Sequence, residues 1–466
     1  MREERMMKRH TYLLLLLGTI MFASCMKDDE KIYTNHCYIS GVTLGSVRRQ
    51  MHTTGWNGSD SIYYTSFSGS NFPMTIDQRR LLIENKDSLL CGAQLDALTM
   101  TITYVGSTVA YRPADEPDGE WTAYKSSDSL DVRKPLHLLL LSEDGNSYRT
   151  YTLRVNVHSQ EGDSLRWARA DSTDIFDGMS RMRALIVGGR LMVFGTTASG
   201  IVRVVRSTLA AQGEWTQEAT DLPANADVEG IKQCGDRLYA ATDDGAIYGS
   251  TDGAHWTMTA PPTAGLLLAA VTDSSFYAII GGKLYWSADG NSWTQETLDD
   301  SLDCLPASSL RSYSIVQDNG NERLLLMGFR ASDDAADSTA VVWSKMWNRY
   351  TPESEAEWMY INPTSDNVYL CPRLEHLNLL AYDERGLVIG GASENGHGHR
   401  QALDAMYFSN DHGITWKPDY ELHLPAAARG AVGPVAAAVD EDNYIWLIAS
   451  NQVWRGRLNR LGFARQ

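Results

Sequence analysis

Positive charge is scarce in this 466-residue chain: 41 Lys and Arg stand against 58 Asp and Glu, a formal net charge of −17. Nucleic-acid phosphates are bound by clustered Lys and Arg, so a nucleic-acid partner is excluded. Electrostatic docking on anionic lipid is excluded for the same reason. Cysteine is also scarce. The six Cys form no CxxC pair and no zinc-like spacing, so no structural metal site is expected. Beyond Cys25 they are Cys37, Cys91, Cys234, Cys304 and Cys371. Cys37 and Cys91 can pair in an exported domain, or each can be an isolated buried thiol; spacing leaves both open. The leading apolar run, residues 12–20, is far shorter than the roughly 20 residues of a membrane span. No motif calls for a cofactor.

That short apolar run follows Lys8, Arg9 and His10, and small residues Ala23 and Ser24 precede Cys25. This is the layout of a secretory signal. Phe22-Ala23-Ser24-Cys25 resembles the bacterial lipobox, with Phe where Leu is usual; the resemblance implies cleavage before Cys25 and lipid attachment to it. The next residues, Met26-Lys27-Asp28-Asp29-Glu30, resemble the acidic tag of surface-exported lipoproteins in Bacteroidetes-type bacteria. The expectation is a signal peptide over 1–24, an acidic tether over 25–35, and a lipid-anchored, surface-exposed outer-membrane protein.

One phrase occurs three times: Ser250-Thr251-Asp252-Gly253-Ala254-His255-Trp256, Ser287-Ala288-Asp289-Gly290-Asn291-Ser292-Trp293 and Ser409-Asn410-Asp411-His412-Gly413-Ile414-Thr415-Trp416. Ser and Asp side chains cap tight turns, Gly takes the positive φ, and Trp supplies packing. A repeat of this kind sets the architecture. It lies in a region, 161–466, that reads as six units. Each unit opens with an apolar strand, turns on Gly or Asp, and runs into a second apolar strand. The opening strands fall near 183–187, 231–234, 267–271, 313–316, 379–382 and 435–439. Four of them carry Ala, which suits strands crowding one axis, the geometry of a β-propeller. The unit-closing Trp215, Trp256, Trp293, Trp358 and Trp416 are spaced 41, 37, 65 and 58 apart. Blades need about 40–50 residues, so the two long units hold insertions, at 331–339 with 343–357 and at 393–403. The sixth unit lacks a closing Trp. Trp167 is expected to supply its missing outer strand, which closes the ring and removes the open sheet edges.

Residues 36–160 carry no copy of the phrase. Strand patterns at 99–105, 136–141 and 148–158, the last two around a Gly-containing turn, read as a β-sandwich-like domain. One helical segment is expected over 75–84. The fold class is therefore all-β, a sandwich-like domain followed by a six-bladed propeller.

The phrase resembles the Asp-box, or BNR repeat, of sialidases, sortilin-type receptors and other propellers. In those families this turn is structural and lies away from the ligand face. The whole layout resembles surface lipoproteins of Bacteroidales that carry an N-terminal β domain before a propeller. A sialidase requires three convergent arginines for its substrate carboxylate, with a Tyr, a Glu and an acid/base Asp. Its first Arg sits in an Arg-Ile-Pro phrase; here Arg181-Met182-Arg183-Ala184 stands instead. The sialidase motif set is thus missing, and fold does not carry function.

Residues just before the innermost strands of a propeller crowd one end of its channel. By phase these are Arg183, Glu229, Arg311 and His376, the candidate ligand-binding set, with mutual pairing as the alternative. Trp343 and Trp347 are candidates for an aromatic sugar platform or for strand packing. His397 and His399 lack a third metal ligand, and Asp333, Asp334 and Asp337 lack the pattern of a calcium loop. The expected function is non-catalytic binding of a glycan or of a partner in a glycan-capture system. A divergent glycoside-processing enzyme and a pure interaction scaffold are the alternatives.

Overall fold

The computed structural model describes residues 33–54, 60–300, 304–316, 320–331, 337–363, 367–391, 403–419 and 422–462. The signal segment, Cys25, most of the tether, Asp333, Asp334, His397 and His399 lie outside the described residues. The chain divides into two compact units, at Ser159 and Gln160. Strands dominate both, and the helical elements among the described residues are short 3-10 turns.

The first unit is two facing sheets and a separate hairpin. Leu136–Leu141 pairs antiparallel with both Tyr148–Arg154 and Thr108–Pro113 inside a six-stranded sheet. Its alternation turns Leu136, Leu138 and Leu140 inward. They meet Ile39, Val42 and Leu44 of Tyr38–Leu44 and Met100 and Ile102 of Leu98–Val105, the strands of the opposing sheet. Cys37 is buried and Cys91 half-buried, and both are free thiols, so the pairing open at the sequence level is not made.

The helix expected over 75–84 does not form. Met74–Asp77 and Leu82–Asn85 are antiparallel strands, with Met74 opposite Asn85. Asp77 decides the matter locally. Its Oδ1 accepts from the backbone N–H groups of Arg79 and Arg80, both at 2.9 Å, which stamps a turn where a helix would continue. Leu82–Asn85 then pairs in parallel with Tyr148–Arg154, a long-range partner that local pattern does not reveal.

Among the described residues the second unit holds six four-stranded antiparallel sheets, arranged as a ring. The innermost strands are Arg181–Val187, Lys232–Cys234, Leu266–Val271, Ser308–Val316, Glu375–Tyr382 and Val435–Val439. Hydrophobic clusters fill the space between neighbouring sheets all the way round. The cluster that closes the ring joins Ala184, Leu191 and Val193 of the first sheet to Ala436, Ala438, Trp446 and Ile448 of the sixth. The sixth sheet takes its outer strand from the start of the unit: Leu165–Ser172 pairs with Gln452–Leu458, Trp167 opposite Gly456. A Cβ at Gly456 would sit 2.4 Å from the Trp167 ring, so Gly is required there.

The three repeated phrases fold alike. Ser250 Oγ accepts from Gly253 N at 2.8 Å, and Asp252 Oδ1 from Ala254 N and His255 N at 2.8 and 2.9 Å. Ser287 and Asp289 do the same for Gly290, Asn291 and Ser292. Ser409 accepts from Gly413 N at 2.7 Å and Asp411 from Thr415 N at 2.8 Å. The φ angles of Gly253, Gly290 and Gly413 are 70°, 74° and 100°, a region that Gly enters without cost. Trp256 and Trp416 each donate Nε1–H to the carbonyl of that Gly, at 3.0 Å, and wedge between adjacent sheets.

Candidate functional site: a cationic floor in the central channel

Antiparallel order places the turn between first and second strands, and the repeated turn between third and fourth, at one end of the ring. The inner strands enter from the other end. Arg183, Lys232, Arg311 and His376 all stand near the start of an inner strand, so they gather at the entry end. A cavity of about 450 Å³ runs from Arg183 and Lys232 toward the hairpin end, lined by residues of all six inner strands, among them Ala184, Ser312, Ala381 and Ala438. Arg183 and Lys232 close its inner end.

Two β-bulges aim the cluster. The register slips between Ser308 and Arg311, where Ser309 has φ 51°. It slips again between Glu375 and Asn378, where His376 has φ 48°. Bulges re-aim side chains, and strained backbone of this kind concentrates at functional sites. Arg311 donates from Nε to Leu377 O at 2.6 Å and from Nη1 to Leu310 O at 3.0 Å. Its Nη2 lies 3.6 Å from Glu229 Oε2. His376 Nδ1 lies 2.6 Å from Glu229 Oε1. Lys232 Nζ donates to Leu310 O at 2.7 Å, so one carbonyl serves two cations. Asn378 ties the fifth inner strand to the sixth: it donates to Val435 O and accepts from Ala437 N, each at 3.1 Å.

Arg183 is 8 %, Lys232 4 % and Arg311 4 % exposed. Arg183 Nε and Nη1 are buried and have no hydrogen-bond partner. Burial, then the Arg311 charge, lowers Arg183 to about 9, against the raising effect of Glu229 and Asp227. Burial, then Arg311 and Arg183, pushes Lys232 well below its ordinary value. Arg311 is lowered by burial. Burial alone would raise Glu229; the His376 hydrogen bond and the Arg311 charge outweigh it and hold the carboxyl below the usual range. The site is therefore cationic: three buried basic groups against one carboxylate in contact, with Asp227 exposed and acting at longer range.

Glu229, Arg311 and His376 are brought into direct contact, and Arg183 stands beside them. Lys232 and Asn378 belong to the same cluster and were not anticipated. Lys232 opens a three-residue strand and Asn378 sits inside an eight-residue one, and no motif marks either. Trp343 and Trp347 are not a platform. They lie in Val341–Trp347, the third strand of the fourth sheet, and are 0 % and 8 % exposed. Trp343 donates to Cys304 O at 2.9 Å and packs on Tyr360. Residues assigned to an insertion are thus a sheet strand in which only Met346 is exposed. Asp337 is held by Arg330 and Arg373 at 3.2 and 3.1 Å. Among the described residues no His, Cys, Asp and Glu cluster suits a metal.

A closed ring of sheets around a cation-floored channel, preceded by a sandwich of sheets, defines a β-propeller protein with an N-terminal β domain. The chain belongs to the DUF6242 family: the family's beta propeller domain matches residues 161–466, and its N-terminal domain, of unknown function, matches residues 42–155. No curated protein matches the chain. Among solved structures it is similar to a DUF4623 family protein from Bacteroides eggerthii, at 12 % identity and TM-score 0.34, covering 89 % of this chain and 98 % of that one. It is similar to the Hadza microbial sialidase Hz136, at 10 % identity and TM-score 0.36, covering 91 % and 95 %. It is also similar to the GH93 α-L-arabinofuranosidase of Fusarium graminearum, at 9 % identity and TM-score 0.37, covering 63 % and 97 %. No substrate is carried from these proteins to this chain.

Proposed function

We propose that this protein is a surface lipoprotein, anchored through Cys25 to the outer membrane, whose six-bladed Asp-box propeller captures an acidic glycan without cleaving it. The observation that carries this is the cationic floor of the channel cavity. Guanidinium groups bind carboxylates tightly and with defined geometry, and Arg183, which lines the cavity's inner end, has two N–H groups buried without a partner. Glycoside hydrolysis takes two carboxyl groups in complementary protonation states. Glu229 is instead held as an ion-pair partner by Arg311 and His376. The carboxylates that line the cavity, Asp273 and Glu322, stand at its hairpin end.

A glycan array probed with the mature protein tests this. Uronate-bearing oligosaccharides are expected to bind and neutral ones of the same length are not. The double change Arg183→Ala with Arg311→Ala is expected to weaken a hit at least about tenfold, or 1.4 kcal/mol, with circular dichroism unchanged. Equal binding of neutral glycans, or full affinity in the folded double variant, would remove the site from the channel. Capture of an acidic protein in place of any glycan would reassign the ligand class.

The anchor is tested separately. Cys25→Ala is expected to abolish labelling by a fatty-acid probe and to release or misprocess the protein. Equal label on both forms would overturn the anchor. Resistance of the protein to protease on intact cells would count against surface exposure.

A further inference from the structure

We infer that the channel holds a resident small monovalent anion seated among Arg183, Lys232 and Arg311, present before any glycan arrives. Only the last step below, its displacement by ligand, rests on the proposed function.

The argument is one of charge. A buried ion without a partner costs several kcal/mol, and such groups are found paired. Two guanidinium groups, Arg183 and Arg311, and the Lys232 amine, held well below its ordinary value, are buried together here, and the groups that face them are few. Glu229 is already engaged by His376 at 2.6 Å and by Arg311. Asp227 acts from an exposed position. Arg181, also near, is a fourth cation and spends its effect on Glu229. Leu310 O is a neutral dipole, and it accepts from Lys232 and Arg311 together, so the two basic groups stand close. Arg183 has neither carboxylate nor carbonyl on Nε and Nη1. It lines the cavity with Lys232, and that cavity reaches the hairpin end of the channel, which supplies an entry path. One negative charge at this point would sit against two unpaired N–H donors, lessen the repulsion between the two guanidinium groups and favour the protonated form of Lys232.

The anion is chloride-like or a small carboxylate; both present one charge and accept N–H donors. The probes are chloride and acetate. In a low-halide buffer, the mature protein is expected to broaden the ³⁵Cl NMR line of added sodium chloride. Acetate at millimolar concentration is expected to sharpen the line again by competition. Folded Arg183→Met and Lys232→Met variants are expected to lose the broadening. Absence of broadening with the wild-type protein would overturn the inference, as would broadening that acetate leaves untouched or that persists in a folded Arg183→Met protein. If neither variant folds, the wild-type competition decides alone. A uronate glycan found on the array is expected to sharpen the chloride line as acetate does. Chloride binding that no glycan displaces would sustain the resident anion and send the glycan site elsewhere.

Discussion

Asp289 shows how much a single exposed carboxylate organises. Its Oδ1 accepts from Asn291 N and Ser292 N, both at 2.8 Å, and from Ser287 Oγ at 2.9 Å. The two backbone N–H groups, then the Ser287 hydroxyl, hold the Asp289 carboxyl down at about 2. The folded value lies below the unfolded one of about 3.9, so the stabilisation is complete above that value and drains as pH falls toward 2. The difference in melting temperature between wild type and Asp289→Ala is therefore expected to be constant from neutral pH down to about 5. It narrows below about 4 and closes near 2. A gap that persists at pH 2, measured by thermal unfolding across that range, would mean the charged carboxylate is not what the turn uses. The same residue logic explains Arg183 in reverse. There the donors outnumber the acceptors, and that imbalance is what the proposed binding site rests on, where Asp289 serves a structural turn.

Among elements, the wedge between sheets is the unit of stability. Trp416 is 2 % exposed and fills the seam between the fourth and fifth sheets, with Leu325 and Val342 on one side and Leu379 and Val388 on the other. The seam is tight: a Cβ at Gly386 would lie 2.9 Å from the Trp416 ring. Trp416→Ala is expected to cost about 3–5 kcal/mol, the usual penalty for emptying a buried aromatic site. Trp293, in the same place of the third sheet's repeat, is only half-buried and its Nε1 has no partner, so Trp293→Ala is expected to cost less. Chemical denaturation of both variants checks the order; an equal loss would refute the wedge as the source. Bulges are the other element-scale device. Those at Ser309 and His376 lie in adjacent sheets near the starts of the inner strands, and between them they turn Arg311 and His376 onto Glu229.

At the scale of the whole molecule, the ring is stabilised by having no loose end. Gln452–Leu458 would be an open edge without Leu165–Ser172, and an unpaired edge invites association with other chains. Trp167 adds a bond from Nε1 to His423 O at 2.7 Å, across most of the length of the unit. Charge is distributed on the same scale. A chain of net charge −17 encloses buried cations at its axis. The negative exterior favours solubility and deters nucleic acid, while the axis keeps a local positive field.

The amino-acid sequence by itself determined the turns, the strands and the ring. Ser, Asp, Gly and Trp in the repeated phrase act within a few residues of one another, so their geometry is written locally. Small residues in the inner strands and the unpaired Trp167 carried the architecture and the closure. The four channel residues named by phase were legible too, because strand starts in a propeller must converge. Tertiary structure decided the rest. Period-two alternation assumes one wet face, but the inner strands of each propeller sheet pack against a neighbouring sheet on either side, so it could not say that Trp343 and Trp347 are buried. The parallel pairing of Leu82–Asn85 with Tyr148–Arg154 is a partner choice made across the chain. Lys232 became part of the site only when a bulge in another sheet brought Leu310 O to its ammonium group. The excess of positive charge at the channel floor is a sum over residues from separate strands, and a sum of that kind exists only after the ring has closed.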